Sequence, residues 1–314
     1  MASIVPDGEL VYGMQLQIQA QSKLFVEDWE ATAGRDELLA LAKHADDAGF
    51  FYLAVCDHVA VPKPADERMG TTWYDTIATL AYLGAITERI RLLSHVYVAP
   101  YRHPLVTAKS FMTLDELTGG RAIFGVGTGH LESEFGLLGV PFAERGRMTD
   151  EAIDVIRAAF DDEYPSIDTP RWHVRDAGMR PRPRQAHIPI WVGGSSKPAL
   201  RRAAERGDGW LPQGTPRDVM PASIAYLREH RARTRGDDPI DLGVVTEMLY
   251  VGEPGWDVGA NTLSGEPEHL AEKLREFGAM GVNSLQVRFR NRTLQELLDQ
   301  VDAFGAEVAP LLNP

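Results

Sequence analysis

Hydrophobic positions along this chain change repeatedly between two spacings. Stretches with the three-to-four-residue spacing of an amphipathic helix alternate with short, almost continuously apolar runs, which are typical of parallel strands covered on both faces. The stretch Arg35–Ala48, for example, ends at Gly49 and is followed by the apolar run Phe51–Cys56. This alternation predicts a parallel sheet whose strands are joined by helices.

Eight strand and helix pairs follow one another in this way. The predicted strands are Tyr12–Ala20, Phe51–Cys56, Ile90–Val98, Arg121–Val126, Ile188–Val192, Gly209–Pro212, Leu242–Val251 and Ser284–Phe289. The predicted helices are Arg35–Ala48, Trp73–Thr87, Leu105–Leu117, Arg145–Asp161, Pro198–Arg206, Arg217–Arg235, Pro267–Met280 and Leu294–Val308. Eight regular units favour an α/β fold closed into a (β/α)8 barrel, a TIM barrel, over an open doubly wound sheet. No GxGxxG sequence follows the first strand, which also argues against that competitor. We therefore predict a single domain over residues 1–314.

The segment 163–187 interrupts this regularity between the fourth and fifth strands. Its prolines are incompatible with a regular helix, so we predict an irregular insertion. The insertion has more basic than acidic residues: Arg171, Arg175, Arg180, Arg182 and Arg184 stand against Glu163, Asp168 and Asp176. Two interpretations are open, a solvated loop without function and a lid that attracts an anion.

Net charge and cysteine content indicate which kinds of partner and ligand this protein can bind. Lys and Arg total 32 against 45 Asp and Glu, a formal charge of −13, and nucleic acid binding needs the opposite balance. The single cysteine, Cys56, excludes an internal disulfide and lacks the clustering of a metal site, so we expect no metal. The N-terminus lacks the features of a signal peptide, and no apolar run reaches the ~18 residues of a membrane span. We expect a cytoplasmic protein with a small-molecule substrate and no membrane partner.

The ends of the predicted strands carry the candidate chemistry, because barrels of this type place catalytic groups there. Asp57 and His58 follow the second strand. A histidine beside an acid can be oriented for proton transfer near neutral pH, although a lone histidine is more often structural. We predict that His58 exchanges a proton with the substrate and that Asp57 orients it. His130 and Glu132, after the fourth strand, are weaker candidates for a second proton-transfer group.

Glycine-rich strand ends point to a bound ligand. Glycines 127 and 129 would let a planar ligand approach the backbone, although tight turns also need glycine. After the fifth strand, Gly193–Ser196 leads into a helix with Pro198 in its first turn, and free N–H groups there would bind a phosphate. A plain helix cap explains the serines equally well. The turn Tyr101–His103, at the end of the third strand, is a candidate for binding substrate or for a purely structural role.

Six segments in order resemble the signatures of the luciferase-like monooxygenase superfamily. They are Asp57-His58, Ala99–Pro104, Leu117–Gly129, Gly139–Arg147, Ile190–Ser196 and Gly207–Pro212. Members are (β/α)8 barrels with an insertion, and they use either reduced FMN for oxygenation or the deazaflavin coenzyme F420 for hydride transfer. The chain is more similar to the F420-dependent branch.

This resemblance implies roles for particular residues. Asp57 and His58 would lie near the reactive part of the ring, and a non-prolyl cis peptide would fall within Ser94–Val96, at His95-Val96. The remaining cofactor contacts that it implies are Ser94, His95, Val96, Gly127, Thr128, Gly129, Gly193, Gly194, Ser195 and Ser196. Some F420-dependent dehydrogenases of this family have an acid where this chain has His130, so the resemblance does not carry over a sugar-phosphate dehydrogenase activity.

We therefore expect a coenzyme F420-dependent oxidoreductase that transfers a hydride between the deazaflavin and a small organic substrate. The alternative is an FMNH2-dependent two-component monooxygenase on the same barrel. A non-catalytic ligand-binding barrel is a third hypothesis. The family often dimerises, so the resemblance also implies a homodimer.

Overall fold

The computed structural model describes residues 3–20, 22 and 26–313, and it contains the predicted barrel. Its strands are β1 (Val11–Gln15), β2 (Tyr52–Val55), β3 (Arg91–Ser94), β4 (Tyr97–Val98), β5 (Ala122–Gly127), β6 (Ile167–Asp168), β7 (His173–Val174), β8 (Ile190–Val192), β9 (Gly209–Trp210), β10 (Asp241–Val251), β11 (Thr262–Gly265) and β12 (Ser284–Phe289). The parallel ring runs from β1 through β2, β3, β5, β8, β9, β10 and β12 back to β1. The barrel is therefore closed.

In the described part of the chain, eight α-helices surround the ring and two short ones lie in its loops. They are α1 (Arg35–Asp47), α2 (Asp66–Met69), α3 (Thr76–Gly84), α4 (Pro104–Leu117), α5 (Glu132–Leu137), α6 (Arg145–Asp161), α7 (Lys197–Arg206), α8 (Met220–Arg235), α9 (Pro267–Ala279) and α10 (Leu294–Ala303), of which α2 and α5 are the short ones. Within the described ranges, no helix is both long enough and apolar enough to cross a membrane.

The barrel interior is filled by large side chains that occupy the space left by glycines on neighbouring strands. A Cβ at Gly13 would lie 2.5 Å from the ring of Tyr52, and one at Gly209 would lie 2.4 Å from the ring of Trp191. Interiors of barrels are packed cores rather than pores, so these glycines are needed for packing. The open functional face is consequently the end of the barrel at which the strands finish.

Several predicted boundaries change, and three of them bear on the open end of the barrel. The first strand ends at Gln15 rather than at Ala20. The helix predicted from Trp73 begins at Thr76, because the side chain of Asp75 caps it by accepting a hydrogen bond from the N–H of Ala78. The third predicted strand divides into β3 and β4 around a non-prolyl cis peptide at His95-Val96, which confirms the predicted position of that bond.

The insertion lies between α6 and β8 and contains a small antiparallel hairpin of β6 and β7. Most of its arginines bind neighbouring groups of the protein. Arg171 pairs with Glu144 and Glu151, Arg175 with Asp168 and Arg180 with Glu163, while Arg182 donates to backbone carbonyls. These contacts favour the interpretation of the insertion as a solvated loop over that of a lid that attracts an anion.

A charged cluster ties the start of β8 to that of β9. Asp208 accepts hydrogen bonds from His187 at 2.9 Å, from Arg157 at 2.5 Å and from the N–H of Ile190 at 2.9 Å. Burial opposes ionisation of Asp208, but these donors outweigh it and lower its pKa to about 2. The cluster lies at the N-terminal ends of the strands, opposite the expected active-site face, so we assign it to stability.

Candidate active site

His58 lies directly after β2 and is bound by an acid that follows β5. Its Nδ1 lies 2.7 Å from Oε2 of Glu134, whose side chain is fully buried. The other carboxylate oxygen accepts the backbone N–H groups of Val59, at 2.6 Å, and Ala60, at 3.0 Å. Burial raises the pKa of Glu134, but the bonds from His58 and from these N–H groups outweigh it and hold the pKa below its usual value. Glu134 is therefore an ionised acceptor.

This contact fixes the tautomer of His58. A carboxylate can only accept, so the neutral imidazole must carry its proton on Nδ1. Nε2 is then left as a proton acceptor, and the negative charge of Glu134 stabilises the imidazolium that forms when Nε2 takes a proton. The pair is suited to general acid–base chemistry at the open end of the barrel.

Asp57 does not orient His58, so that prediction is wrong. Its carboxylate forms a two-point ion pair with Arg102, at 2.8 and 2.9 Å, and accepts the N–H of Val98 at 2.8 Å. Neighbouring residues of an extended chain point in opposite directions, so Asp57 and His58 face different partners. Asp57 instead anchors the segment that follows the interruption of the third strand.

The turn Tyr101–His103 supports this arrangement. The hydroxyl of Tyr101 donates to Oε2 of Glu134 at 2.9 Å, and burial followed by the charge of Glu134 raises the pKa of Tyr101. His103 caps α4 by accepting the N–H of Leu105. All three side chains of the turn are thus engaged with the protein, which favours the structural interpretation.

His130 and Trp73 flank the imidazole of His58. The ring of Trp73 meets it edge to face with centroids 4.4 Å apart, and the ring of His130 does so at 5.7 Å. Burial and the proximity of His58 lower the pKa of His130. His130 is therefore near enough to remain the second candidate, whereas Glu132 is exposed in the first turn of α5.

The bulge in the third strand places three predicted cofactor contacts in different environments. Ser94 is fully buried, and its hydroxyl exchanges hydrogen bonds with the backbone of Gly125. His95 bonds through Nε2 to the carbonyl of Leu211 at 3.1 Å, and burial lowers its pKa to about 4. Val96 is only half-buried. The Ser94 side chain serves the protein itself, while His95 and Val96 remain candidates.

Glycines 127 and 193 make room for Val96. A Cβ at Gly127 would lie 2.5 Å from one methyl group of Val96, and a Cβ at Gly193 would lie 2.4 Å from the other. Gly129 has φ +73°, and its Cβ would meet Phe135 and Val98 at 2.8 Å. The absence of side chains at these positions is thus required by the protein's own packing. Thr128, between two of them, is half-buried.

The first residue of the predicted phosphate-binding segment already uses its N–H group within the protein. The N–H of Gly193 bonds to the carbonyl of Val126 within the sheet, so this group is not available to a phosphate. Gly194, with φ +93°, Ser195 and Ser196 are exposed, and Ser196 caps α7 by accepting the N–H of Ala199. The N-terminus of α7 therefore presents N–H groups beside the exposed Lys197, an arrangement that binds anions.

Sequence reasoning missed Glu134, the principal partner of His58. The two residues are 76 positions apart, and they meet because β2 and β5 end on the same face of the barrel. The available signal was the pair of acids Glu132 and Glu134 in the segment that follows the strand-end glycines. No group of three or more His, Cys, Asp or Glu side chains in the described part of the chain is arranged to hold a metal ion.

Comparison with known proteins agrees with this architecture. The chain is 31% identical over 338 aligned residues to the F420-dependent glucose-6-phosphate dehydrogenase of Intrasporangium calvum, an alignment that covers 91% of this chain and 98% of the relative. Its fold is similar to the coenzyme F420-dependent tetrahydromethanopterin reductase of Methanopyrus kandleri, with TM-score 0.74 and 20% identity over 96% of this chain and 99% of the other.

It is equally similar to an FMN-bound type II Baeyer–Villiger monooxygenase component of Pseudomonas putida, with TM-score 0.75 and 16% identity over 96% and 98% of the two chains. At these identities the solved structures establish the fold alone. The family model for luciferase-like monooxygenases matches residues 14–254. This protein therefore belongs to the luciferase-like monooxygenase family, with the closed (β/α)8 barrel that the sequence predicted.

Proposed function

We propose that this chain is a coenzyme F420-dependent oxidoreductase that transfers a hydride between the deazaflavin and a small organic substrate. The observation that carries the proposal is the buried His58–Glu134 pair, which leaves Nε2 of His58 as a proton acceptor at the open end of the barrel. The choice of cofactor rests on the relative from Intrasporangium calvum, which is an F420-dependent enzyme by name.

The residues present fit a phosphorylated, planar cofactor. The N-terminus of α7, with Gly194, Ser195 and Ser196, suits its phosphate. The bulge that contains Val96 lies beside Gly127 and Gly193 on the inner wall and suits one face of its ring. The insertion contributes little to this choice, because most of its arginines are paired with the protein's own acids and carbonyls.

When bound, coenzyme F420 supplies a two-electron acceptor or donor of hydride. The chain supplies the matching proton transfer. When an alcohol carbon is oxidised to a carbonyl, its C–H bond breaks as hydride loss and the proton of its hydroxyl passes to Nε2 of His58. In the opposite direction the imidazolium of His58 returns that proton to the carbonyl oxygen. Glu134 keeps the ring in the required tautomer throughout.

Direct titration of the purified protein with coenzyme F420 and with FMN tests the proposal. We expect at least ~10-fold tighter binding of oxidised F420, a difference of ~1.4 kcal/mol. The measurement is the change in absorbance and fluorescence of each cofactor. A Lys197→Ala variant should weaken both cofactors if they share the phosphate site, while Lys43→Ala on α1, remote from that loop in sequence, is the matched control.

Equal or tighter binding of FMN would contradict the proposal and favour the FMNH2-dependent monooxygenase. Failure to bind either cofactor would contradict both the F420-dependent and the FMNH2-dependent hypothesis. Binding of F420 without any reduction by alcohols or oxidation by carbonyls and enones would instead support a ligand-binding barrel.

A further inference from the structure

The backbone shortly after β1 contains a strained turn at Ile18. The N–H of Gln19 donates to the carbonyl of Gln17 at 2.8 Å, and φ of Ile18 is +72°, so the three residues form the strained kind of γ-turn. A branched side chain strongly disfavours this region of φ, yet Ile18 is fully buried there. Such strain persists only where the surrounding structure imposes it, and it is common at functional sites. The residues that impose it therefore indicate what the turn is for.

A buried carboxylate holds the turn from one side. Oε2 of Glu30 accepts the N–H of Ile18 at 2.9 Å, and Oε1 accepts the amide nitrogen of Gln17 at 3.1 Å. Glu30 is itself fully buried, within the short 3-10 helix Asp28–Thr32. Two of the three residues of the turn are thus held by Glu30, and the third is Gln19.

Gln19 joins the turn to two other segments of the open end. Its side-chain oxygen accepts the N–H of Cys56 at 3.2 Å, and its amide nitrogen donates to the carbonyls of Cys56 at 3.3 Å and Tyr74 at 3.0 Å. Its backbone carbonyl accepts the N–H of Tyr74 at 3.0 Å, and an isolated antiparallel bridge between Ala20 and Trp73 continues this contact. Every polar group of Gln19 is therefore used by the protein, and the residue has no exposed surface.

The two segments that Gln19 joins carry two rings of the candidate site. His58 follows Cys56 by two residues, and Trp73 directly precedes Tyr74. The centroids of the imidazole and the indole are 4.4 Å apart. The relative position of the two rings consequently depends on the hydrogen bonds of Gln19.

The indole of Trp73 has no hydrogen bond of its own to orient it. Its N–H is buried, and no acceptor for it lies among the described residues, so its orientation depends on packing and on the backbone that carries it. The imidazole of His58 is held at Nδ1 by Glu134, and it can still pivot about that contact. The edge-to-face contact with Trp73 restricts the pivot and thereby directs Nε2.

We propose that Gln19 is a positioning residue for the proton transfer. By fixing the end of β2 against the segment that precedes α3, it sets Trp73 against His58 and aims Nε2 at the substrate. This inference deepens the proposed function and rests on it, since that function gives Nε2 its task. The strained turn at Ile18 has the same purpose, because it directs the side chain and the backbone carbonyl of Gln19 toward these two segments.

Gln300→Met is a closely matched control for Gln19→Met. Gln300 is another buried glutamine, and its amide accepts the N–H of Val251 and donates to the carbonyl of that same residue. Gln19 makes the same pair of bonds to Cys56. Both replacements keep the side-chain volume nearly constant and leave buried backbone groups without a partner, so both should lower stability. A purely structural role predicts the same consequences for the active site in the two variants.

The first readout needs no cofactor. The imidazole C–H signals of His58 are assigned in NMR spectra by their loss in His58→Ala, and their chemical shifts report the ring current of Trp73. We expect these signals to move or to split in Gln19→Met and to keep their wild-type shifts in Gln300→Met.

The second readout is single-turnover hydride transfer at saturating F420, with the alcohol or carbonyl that the wild-type protein converts fastest. Gln19→Met should be slower by ~10- to 100-fold, the effect of a small misplacement of a reacting group, and should keep its affinity for F420. Gln300→Met should keep the wild-type rate.

Two substitutions of Trp73 carry the test should Gln19→Met fail to fold. Trp73→Leu removes the ring contact and leaves Gln19 in place, so it should slow hydride transfer by a similar factor. Trp73→Phe keeps an aromatic ring beside the imidazole of His58 and should recover most of the rate.

The inference would be overturned by unchanged His58 signals in folded Gln19→Met, by signals that move without any loss of rate, by an equal loss of rate in Gln300→Met, or by a wild-type rate in Trp73→Leu. Absence of F420 binding by the wild-type protein would instead reject the proposed function. The NMR comparison on cofactor-free protein would still decide whether Gln19 positions His58.

Discussion

Replacing Glu134 by glutamine keeps the side chain of His58 in the site but changes the tautomer that its partner imposes. Four donors converge on the carboxylate: His58 and the Tyr101 hydroxyl at one oxygen, and the N–H groups of Val59 and Ala60 at the other. A glutamine has only one oxygen. Backbone N–H groups can only donate, so that oxygen must stay with Val59 and Ala60 and the amide NH2 must face His58. The imidazole then accepts at Nδ1 and carries its proton on Nε2.

This change of tautomer has two consequences for catalysis. Nε2 can no longer accept a proton from the substrate, and a general base contributes typically ~10²–10⁴-fold to the rate. The imidazolium also loses a charge-assisted hydrogen bond worth roughly 1.5–3 kcal/mol. Proton return from His58 in the opposite direction is therefore impaired as well.

Single-turnover hydride transfer at saturating cofactor, measured across pH, checks this prediction. Nitrogen NMR of the imidazole reports the tautomer independently of turnover. His58→Ala should lose the same factor in rate, and Glu116→Gln, an exposed acid on α4, is the matched control. A wild-type rate and pH profile in Glu134→Gln would refute the reasoning, and an unchanged His58→Ala would move the proton-transfer role to His130.

Three further predictions concern stability, measured by chemical and thermal unfolding. Gln286→Met should raise the free energy of unfolding of the ligand-free protein by about 1 kcal/mol or more, since it removes two unpartnered buried polar groups at nearly constant volume; a lower value would mean that the amide is bonded in solution. Gly193→Val should cost roughly 1–3 kcal/mol through its clash with Val96, and Val96→Ala in the same chain should recover part of that loss, whereas additive losses would exclude the clash. Because the pKa of Asp208 is depressed from 3.8 to about 2, its contribution of about 2 kcal/mol is present above pH 4 and is lost as the pH falls toward 2; Asp208→Asn should remove this acid dependence, and its persistence would assign it to other carboxylates.

The sequence predicts the barrel well because its evidence is local. Helical periodicity, buried runs and the serine cap before α7 are properties of neighbouring residues, and their order is the order of the fold. The two interruptions of the regular strand and helix alternation were also located correctly. They are the insertion before β8 and the cis peptide bond at His95-Val96.

The site was harder to predict because its contacts are distant in sequence. Asp57 was the partner expected for His58 because it is adjacent in sequence. An extended backbone turns consecutive side chains apart, however, and Glu134 reaches His58 from another strand end. Glycines 127 and 193 were singled out as places where a ligand approaches the backbone, yet the sequence does not state whether a ligand or a side chain fills the space beside them. In the structure Val96 fills it.

The alternation within β1 also determines which kinds of sequence change this strand tolerates during evolution. Val11 and Gly13 face the packed barrel interior, whereas Met14 belongs to the core between the barrel and its helices. Substitution of one interior residue alters one contact and leaves the others in place. Deletion or insertion of a single residue within β1, however, reverses every later position of the strand, so that Met14 would face the barrel interior and Gln15 would meet the helices. Homologues should therefore vary in residue type along β1 while keeping its length constant, and engineered libraries should randomise single positions of the strand without changing its length.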